Sequence, residues 1–551
     1  MKVIIIGSVA AGTSTAAKIR RNDEQAEIVV YDKGSYISYS VCGIPYYIGT
    51  EMEIEELIPR DEQWFKDRYQ IEIKTEYEVT QVNYESREVV VKDLQSGGEK
   101  REEFDKLVFA TGARPALPPI QGIDKQNVFS VRNINDALNI KEYIIENKPK
   151  KAVIVGSGFI GMEILENLLE RDIEVEVVEI LPQIVRKLDR EMAFKLEKYL
   201  ESKGIKLYLS DKVTALYGEE SAKKVELESG QELETDLVIM ATGIKPNTEL
   251  AENIGVKLGP TGAIKINQRM ETNLADIYAV GDCAESFSLL TKEPLYQPLG
   301  SVANKMGRIA GDQITGGNLE FKGTLGTGIF KVLELSVGHT GLTAEEALEA
   351  GYQTEEAYII KPNQPKYYPG GDLLWIKAIA DRDSNGLLGV QIIGETGVDK
   401  RIDVFATAIT YGAKVEELFN LDLAYAPPFA TTKDPVLYTG MILNNALNSK
   451  RKLITPAEVK AKARKAEDEL LIIDVRAAKQ YQRDHLPGAI NIPLAELRDR
   501  LDDLAKEKTV VTYCNKGTSG NAAQNILLNH GFEKVYNLAG GHQNYLLQKN
   551  L

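Results

Sequence analysis

Unbroken apolar runs of three to five residues, each ending in a glycine turn, recur through the first half of the chain. The first is Val3-Ile4-Ile5-Ile6. It leads through Gly7-Ser8-Val9-Ala10-Ala11-Gly12 and a helical pattern to Arg21, then into Ile28-Val29-Val30-Tyr31 and Asp32. Apolar runs without polar alternation are expected of parallel strands covered on both faces. Ala152-Val153-Ile154-Val155 restarts the pattern with Gly156-Ser157-Gly158-Phe159-Ile160-Gly161, a helix, and Val175-Glu176-Val177-Val178 ending at Glu179. Leu107-Val108-Phe109, Leu237-Val238-Ile239-Met240 and Ile277-Tyr278-Ala279-Val280 run into Thr111-Gly112, Thr242-Gly243 and Gly281-Asp282. From residue 321 onward, strand runs such as 328–332 mix with helical stretches such as 398–411. A polar stretch at 444–452 ends in a basic run and has linker composition. Beyond it the strand-and-helix pattern begins anew at Leu470-Leu471-Ile472-Ile473. The predicted class is α/β.

The two glycine loops carry the first chemistry. Residues 156–161 are a full G-x-G-x-x-G between strand and helix, whereas Val9 replaces the middle glycine of the first loop. Such a turn brings backbone amides to a pyrophosphate, and a carboxylate after the second strand meets ribose hydroxyls. Two loops in the same setting predict two dinucleotide sites. Glu179 accepts from a ribose 2′-OH and repels a 2′-phosphate, and Ile180-Leu181-Pro182 supply no arginine for that phosphate, so NADH is expected. Asp282, delivered by a strand to a glycine turn, suits the ribityl hydroxyls of a flavin.

The 551 residues suffice for three or four domains. A net charge of −15 argues against nucleic acid or an anionic membrane as the main partner. Three cysteines make no disulfide framework and fit a reducing compartment. The N-terminal apolar run is too short for a signal peptide or span, so a cytoplasmic location is expected. Cys42 is the first cysteine, inside Ser38-Tyr39-Ser40-Val41-Cys42-Gly43-Ile44-Pro45-Tyr46-Tyr47. It reads either as a redox centre working with one sulfur or as a small buried hydrophobe. Cys514 ends a strand before Asn515-Lys516-Gly517-Thr518-Ser519-Gly520 and a helix. That setting is a bowl of amides, expected to lower the thiol pKa and hold an anion or persulfide; a buried strand-end cysteine is the alternative. Cys283 is expected to be structural, and no metal site is expected.

Residues 1 to about 445 resemble the pyridine nucleotide-disulfide oxidoreductases, in particular the single-cysteine branch of coenzyme A-disulfide reductases and NADH oxidases. The S-Y-S-V-C-G-I-P-Y-Y stretch is similar to that branch's redox motif, with Val41 in place of the usual asparagine. The resemblance implies Cys42 as redox cysteine. It implies Gly7, Ala10, Gly12, Asp32, Lys33, Ser38, Thr111, Gly112, Arg132, Asp282 and Ala303 as FAD positions. Gly156, Gly158, Ile160, Gly161, Glu179 and Gly243 fall on NADH positions. Lys18, Arg20 and Arg21 end the first helix; by resemblance Lys18, Arg21 and Ser38 match coenzyme A contacts. The Tyr367-Tyr368-Pro369-Gly370 and Ala424-Tyr425-Ala426-Pro427-Pro428 motifs imply a homodimer in which Tyr367 and Tyr425 reach the partner subunit's cysteine. Sequence leaves open which of Tyr367 and Tyr368 points inward.

Residues 454–551 resemble a rhodanese domain through D-V-R, H-L-P-G-A-I-N-I-P and Y-C-N-K-G, with Ser519 where arginine is common. That departure leaves room for a less anionic sulfur carrier at Cys514. The implied organisation is an FAD-binding domain of two Rossmann-like pieces (1–112 and 244–320) and an NADH-binding Rossmann-like domain (113–243). An α+β dimerisation domain (321–445), a linker (446–453) and an α/β rhodanese domain (454–551) follow. The expected function is NADH-driven reduction of coenzyme A persulfide, coenzyme A disulfide or polysulfide. An NADH oxidase or peroxidase cycling through sulfenic acid, and a redox-sensing sulfur carrier, are the alternatives.

Overall fold

The computed structural model describes residues 1–465 and 469–549; positions 466–468 and 550–551, within the expected last domain, lie outside the described residues. The chain divides into two compact units. One comprises Met1–Pro182 and Ile205–Gly326, the other Gln183–Gly204 and Thr327–Leu551.

The first unit contains two five-stranded parallel sheets. In one the order is Ile277–Ala279, Lys106–Phe109, Lys2–Ile6, Glu27–Tyr31 and Glu72–Lys74. Ile4, Ile5, Leu107 and Val108 are fully buried in it, each contributing roughly 1.5–3 kcal/mol of hydrophobic stabilisation. The apolar runs are unbroken for this reason: both faces are covered. Ile6 pairs with Tyr31 and with Phe109, so three strands end level and their loops gather at one edge. The second sheet runs Lys206–Leu209, Glu174–Glu179, Lys151–Val155, Leu237–Met240 and Val128–Ser130. Val155 pairs with Val178 and Met240 in the same way. Both arrangements are the doubly wound geometry in which ligands sit beyond the carboxyl ends of the strands.

The second unit holds an antiparallel sheet in the order Gly328–Val332, Leu335–Gly341, Leu387–Gly394, Leu373–Asp381 and Thr354–Pro362. Helices Val398–Thr410 and Pro435–Asn448 belong to the same unit. They are joined by Arg401, fully buried, whose Nε and Nη2 donate to Asp434 at 3.0 and 2.8 Å. Lys377 is also buried; its ammonium meets Asp189 at 2.8 Å, Glu191 at 2.5 Å and Glu356 at 2.9 Å. Three carboxylates around one ammonium hold it charged, well above the ordinary lysine range despite its burial.

The last sheet is parallel, in the order Lys452–Ile454, Val535–Leu538, Thr509–Tyr513, Leu470–Asp474 and Ala489–Asn491. The stretch expected as a linker is mostly regular. Helix Pro435–Asn448 runs into it and strand Lys452–Ile454 begins within it. Leu443 and Ala446 are buried near the helix's end, and Asn448 Nδ2 donates back to Asn444 Oδ1 at 2.8 Å. Among the described residues no helix is long and apolar enough to cross a membrane. The fold is mixed α/β, with an antiparallel α+β portion lying in sequence between parallel-sheet portions.

Candidate active site

The two glycine loops are built alike. Gly7 has φ +111°, and a Cβ there would stand 2.2 Å from the Ala110 carbonyl oxygen; Gly156 has φ +103°, with Ala241 O at 2.3 Å. A side chain at either would push two strands apart. A Cβ on Gly12 or Gly161 would fall within 2.2 Å of the carbonyl of Gly7 or Gly156, so each helix presses on its loop. Space around Gly158 is open to 4 Å. Helices Ala10–Asn22 and Phe159–Leu169 begin with no side-chain cap and no acidic residue in the first turn. Their first-turn amides suit a pyrophosphate, and Ala10 and Ile160 stand in those first turns.

The residue after each first glycine latches the carboxylate of the second strand. Ser8 donates N–H and Oγ–H to Asp32 Oδ2, both at 2.7 Å. Ser157 does the same to Glu179 Oε2, at 2.9 and 2.6 Å, while Leu181 N–H holds Oε1 at 2.9 Å. Lys33, expected beside Asp32, is exposed and pairs with Glu78 at 3.9 Å. Ser38 has φ +49° and its N–H donates to Ser8 O at 3.0 Å, which draws the cysteine-bearing segment onto the first loop.

Asp282 and Arg132 meet at 2.7 Å, and Arg132 Nε also donates to Ala113 O at 3.0 Å. Thr111 bonds Asn247 through Oγ1 and through its carbonyl. A Cβ on Gly281 would touch Ala11 at 2.8 Å and Ala303 at 3.6 Å, so Ala303 borders the Asp282 turn. Gly112 and Gly243 close their strands at φ +66° and +95°. Cys283 is buried, its thiol facing the Phe109 and Val280 carbonyls at 3.4 and 3.3 Å, consistent with a packing role.

Cys42 is exposed, in the short 3-10 turn Val41–Gly43 that leads into helix Ile44–Gly49. Within the single chain its thiol pKa stands above the ordinary value. Packing raises it, the charges of Glu163 and Asp282 add to the rise, and Arg132 opposes them. Glu163, from the helix after the second loop, is itself pushed up to about 7 by burial and by Glu166. Sequence reading missed Glu163; its place two residues beyond Gly161 was the available signal.

Beside Ser38 lies a cavity of about 440 Å³ lined by Lys18, Arg21, Arg60, Trp64 and Arg308. Four cations face one hollow in an acidic chain, which suits adenosine phosphates. Arg60 lies 4.8 Å over the Trp64 ring, and Arg21 5.4 Å over Tyr69. Lys18 shares its charge with Asp312 at 3.0 Å. Arg20 is not part of this set: its five donors go to the carbonyls of Asp23, Glu24, Ala26, Tyr69 and Gln70. Arg60, Trp64 and Arg308 escaped sequence reading because they come from three separate segments.

In the second unit Tyr367 and Tyr425 are 74% and 47% exposed, and Tyr368 is 39% exposed. Partial burial and then the neighbouring Tyr367 phenol raise the Tyr425 hydroxyl's pKa, so Tyr367 is the one joined to the second motif. Cys514 is buried between strand Thr509–Tyr513 and helix Thr518–Asn529. Its loop is pinned by His542 N–H to Cys514 O at 2.8 Å and Gln543 N–H to Asn515 O at 3.0 Å. Arg476 grips fully buried Asp474 through Nε and Nη2 and reaches His542 Nδ1 at 3.0 Å. Ser519 is half-buried in the helix's first turn.

Comparison with known proteins gives three family matches: pyridine nucleotide-disulphide oxidoreductase over residues 1–302, its dimerisation domain over 328–435, and a rhodanese-like domain over 455–548. A CoA-dependent NAD(P)H sulfur oxidoreductase from Pyrococcus furiosus is 40% identical over 80% of this chain and 99% of its own. The structure of reduced Bacillus anthracis CoADR-RHD superposes with a TM-score of 0.96 at 36% identity, covering 99% of this chain and 98% of the other. A NAD-dependent persulfide reductase from A. fulgidus superposes at 0.91 with 38% identity, covering 99% and 100%. By sequence and by fold, this chain belongs to the pyridine nucleotide-disulphide oxidoreductases, followed by a rhodanese-like domain.

Proposed function

We propose that the protein reduces coenzyme A persulfide, coenzyme A disulfide or polysulfide with NADH through Cys42, and that Cys514 handles the sulfane sulfur. The cofactors are FAD and a pyridine nucleotide, as in the family. Bound FAD would accept hydride from NADH and make the electron pair available at the Cys42 sulfur. The observation that carries the reading is the exposed Cys42 thiol, under the charges of Arg132 and Asp282 and two residues past Ser40 on the wall of the four-cation cavity. The similar proteins named for sulfur and persulfide reduction support it.

The residues divide the work. The thiolate of Cys42 attacks coenzyme A disulfide, forms a Cys42–coenzyme A disulfide and expels one coenzyme A thiolate. Two electrons and one proton then restore the Cys42 thiolate and release the second coenzyme A thiol. Glu163 holds a proton near neutral pH, and in that form it no longer repels the thiolate. The cavity cations hold the adenosine phosphates, and Glu179 receives the ribose hydroxyls of NADH. Tyr367 and Tyr425, exposed in the single chain, close the site of a partner subunit in a homodimer and protonate the leaving sulfur.

Steady-state NADH oxidation with each sulfur substrate tests this. Cys42→Ser is expected to retain flavin and lose at least about 10³-fold in rate. NADH oxidation by Cys42→Ser at the wild-type rate with coenzyme A persulfide would sink the mechanism. Turnover with peroxide alone, and none with any coenzyme A substrate, would point to a sulfenic acid cycle instead.

A further inference from the structure

Lys361 closes strand Thr354–Pro362 of the antiparallel sheet together with Pro362, yet its ammonium is spent on the Cys514 loop. Nζ donates to Thr518 Oγ1 at 2.9 Å, and Thr518 is the first residue of helix Thr518–Asn529. Tyr438 places its ring 4.0 Å behind the ammonium, which fixes the cation in place. This is an unfavourable place for a positive charge. The helix begins with no side-chain cap and no acidic residue in its first turn, so its positive end is uncompensated. Among the described residues no carboxylate lies within ion-pair distance of Lys361.

The other charges nearby point the same way. Burial lowers the Lys361 pKa, Lys516 and Lys433 lower it further, and the Cys514 thiolate is the one group that raises it. Lys516 is lowered in turn by burial and by Lys366, with Asp372 opposing. Lys361 and Lys516 thus meet at one cysteine loop, with Lys433 near the first and Lys366 and Asp372 near the second, in a chain of net charge −15. Such a cluster is repelled from itself unless an anion occupies it.

We infer that Lys361, supplied by the dimerisation domain, completes the Cys514 site by stabilising its thiolate and persulfide anions. This role rests on Cys514 being the sulfur-transfer thiol. With thiosulfate, the Cys514 thiolate attacks the outer sulfur, the donor's sulfur–sulfur bond breaks, and sulfite leaves with the electron pair. The product is a Cys514 persulfide anion facing Lys361. Cyanide then removes the outer sulfur as thiocyanate and restores the thiolate.

The test uses full-length, flavin-loaded protein carrying Cys42→Ser. The pH profile of Cys514 alkylation by iodoacetamide is read on the Cys514 peptide, and thiosulfate–cyanide transfer is assayed in parallel. Lys361→Met is expected to raise the alkylation midpoint by about one pH unit and to lower kcat/KM for thiosulfate by about tenfold, with Lys361→Arg restoring both. Unchanged midpoint and transfer in Lys361→Met would overturn the inference. Should that variant fail to fold, Lys361→Gln carries the same comparison. Thr518→Val removes the hydrogen bond and keeps the charge: a midpoint shift as large as that of Lys361→Met would make Lys361 a mere tether, and a smaller one supports the electrostatic role. Cys514→Ser separates the two levels. Retained transfer there defeats the reading of Cys514, while lost transfer with an inert Lys361→Met defeats only the role of Lys361.

Discussion

Arg132 and Asp282 stand 150 positions apart in the chain and 2.7 Å apart in space. Neither side chain is more than a fifth exposed, so removing one charge leaves the other part-buried and unpaired. Asp282→Asn is expected to destabilise the protein by about 1–3 kcal/mol and to lose FAD on gel filtration. Full flavin content with an unchanged Tm would show that the pair does neither job.

Glu179 cannot swing away from the second loop, because Ser157 and Leu181 hold both of its oxygens. A fixed carboxylate opposes a 2′-phosphate more than a mobile one does. Glu179→Ala is expected to shift the NADH-to-NADPH ratio of kcat/KM toward NADPH by about tenfold to a hundredfold. An unaltered ratio would assign cofactor choice elsewhere.

Glu163 makes stability depend on pH. Its folded pKa is about 7, raised by burial and Glu166 from an ordinary 4.5. Between these values the unfolded chain has ionised and the folded protein has not. Folding is therefore favoured less as pH rises from 4.5 through 7, and the full penalty applies above. Glu163→Gln is expected to gain on wild type across that window, by at most about 3 kcal/mol. Parallel denaturation curves at pH 5 and pH 8 with a constant difference would contradict this.

Asp474 is fully buried and depends on Arg476 for its counter-charge. Arg476→Ala is expected to remove about 3–5 kcal/mol from the C-terminal sheet's stability. Calorimetry of the whole protein would show an earlier, smaller transition, with NADH oxidation surviving it. A single unshifted transition would argue against the role.

What sequence made legible was local. Unbroken runs such as Val3–Ile6 announce doubly covered strands, and the spacing of Gly156, Gly158 and Gly161 announces a loop pressed against a helix. Asp282 at its glycine turn was readable for the same reason. What stayed hidden was set by distant partners. Lys18, Arg20 and Arg21 look equivalent in a helix, yet Arg20 is consumed by carbonyls around residue 70. The cavity wall joins Arg60 and Trp64 to Arg308. The thiol of Cys42 carries a raised pKa through packing and then through the charge of Glu163, which comes from another βαβ unit. Composition also gave no sign that the helix Pro435–Asn448 runs on into 446–448, where Ala446 is buried.

The ammonium of Lys377 has an implication for how the chain is made. Asp189, Glu191 and Glu356 emerge from the ribosome before it does. Until then the segment 183–204 presents two unneutralised carboxylates and lacks its counter-ion. Its final docking must therefore wait until translation is more than two-thirds complete.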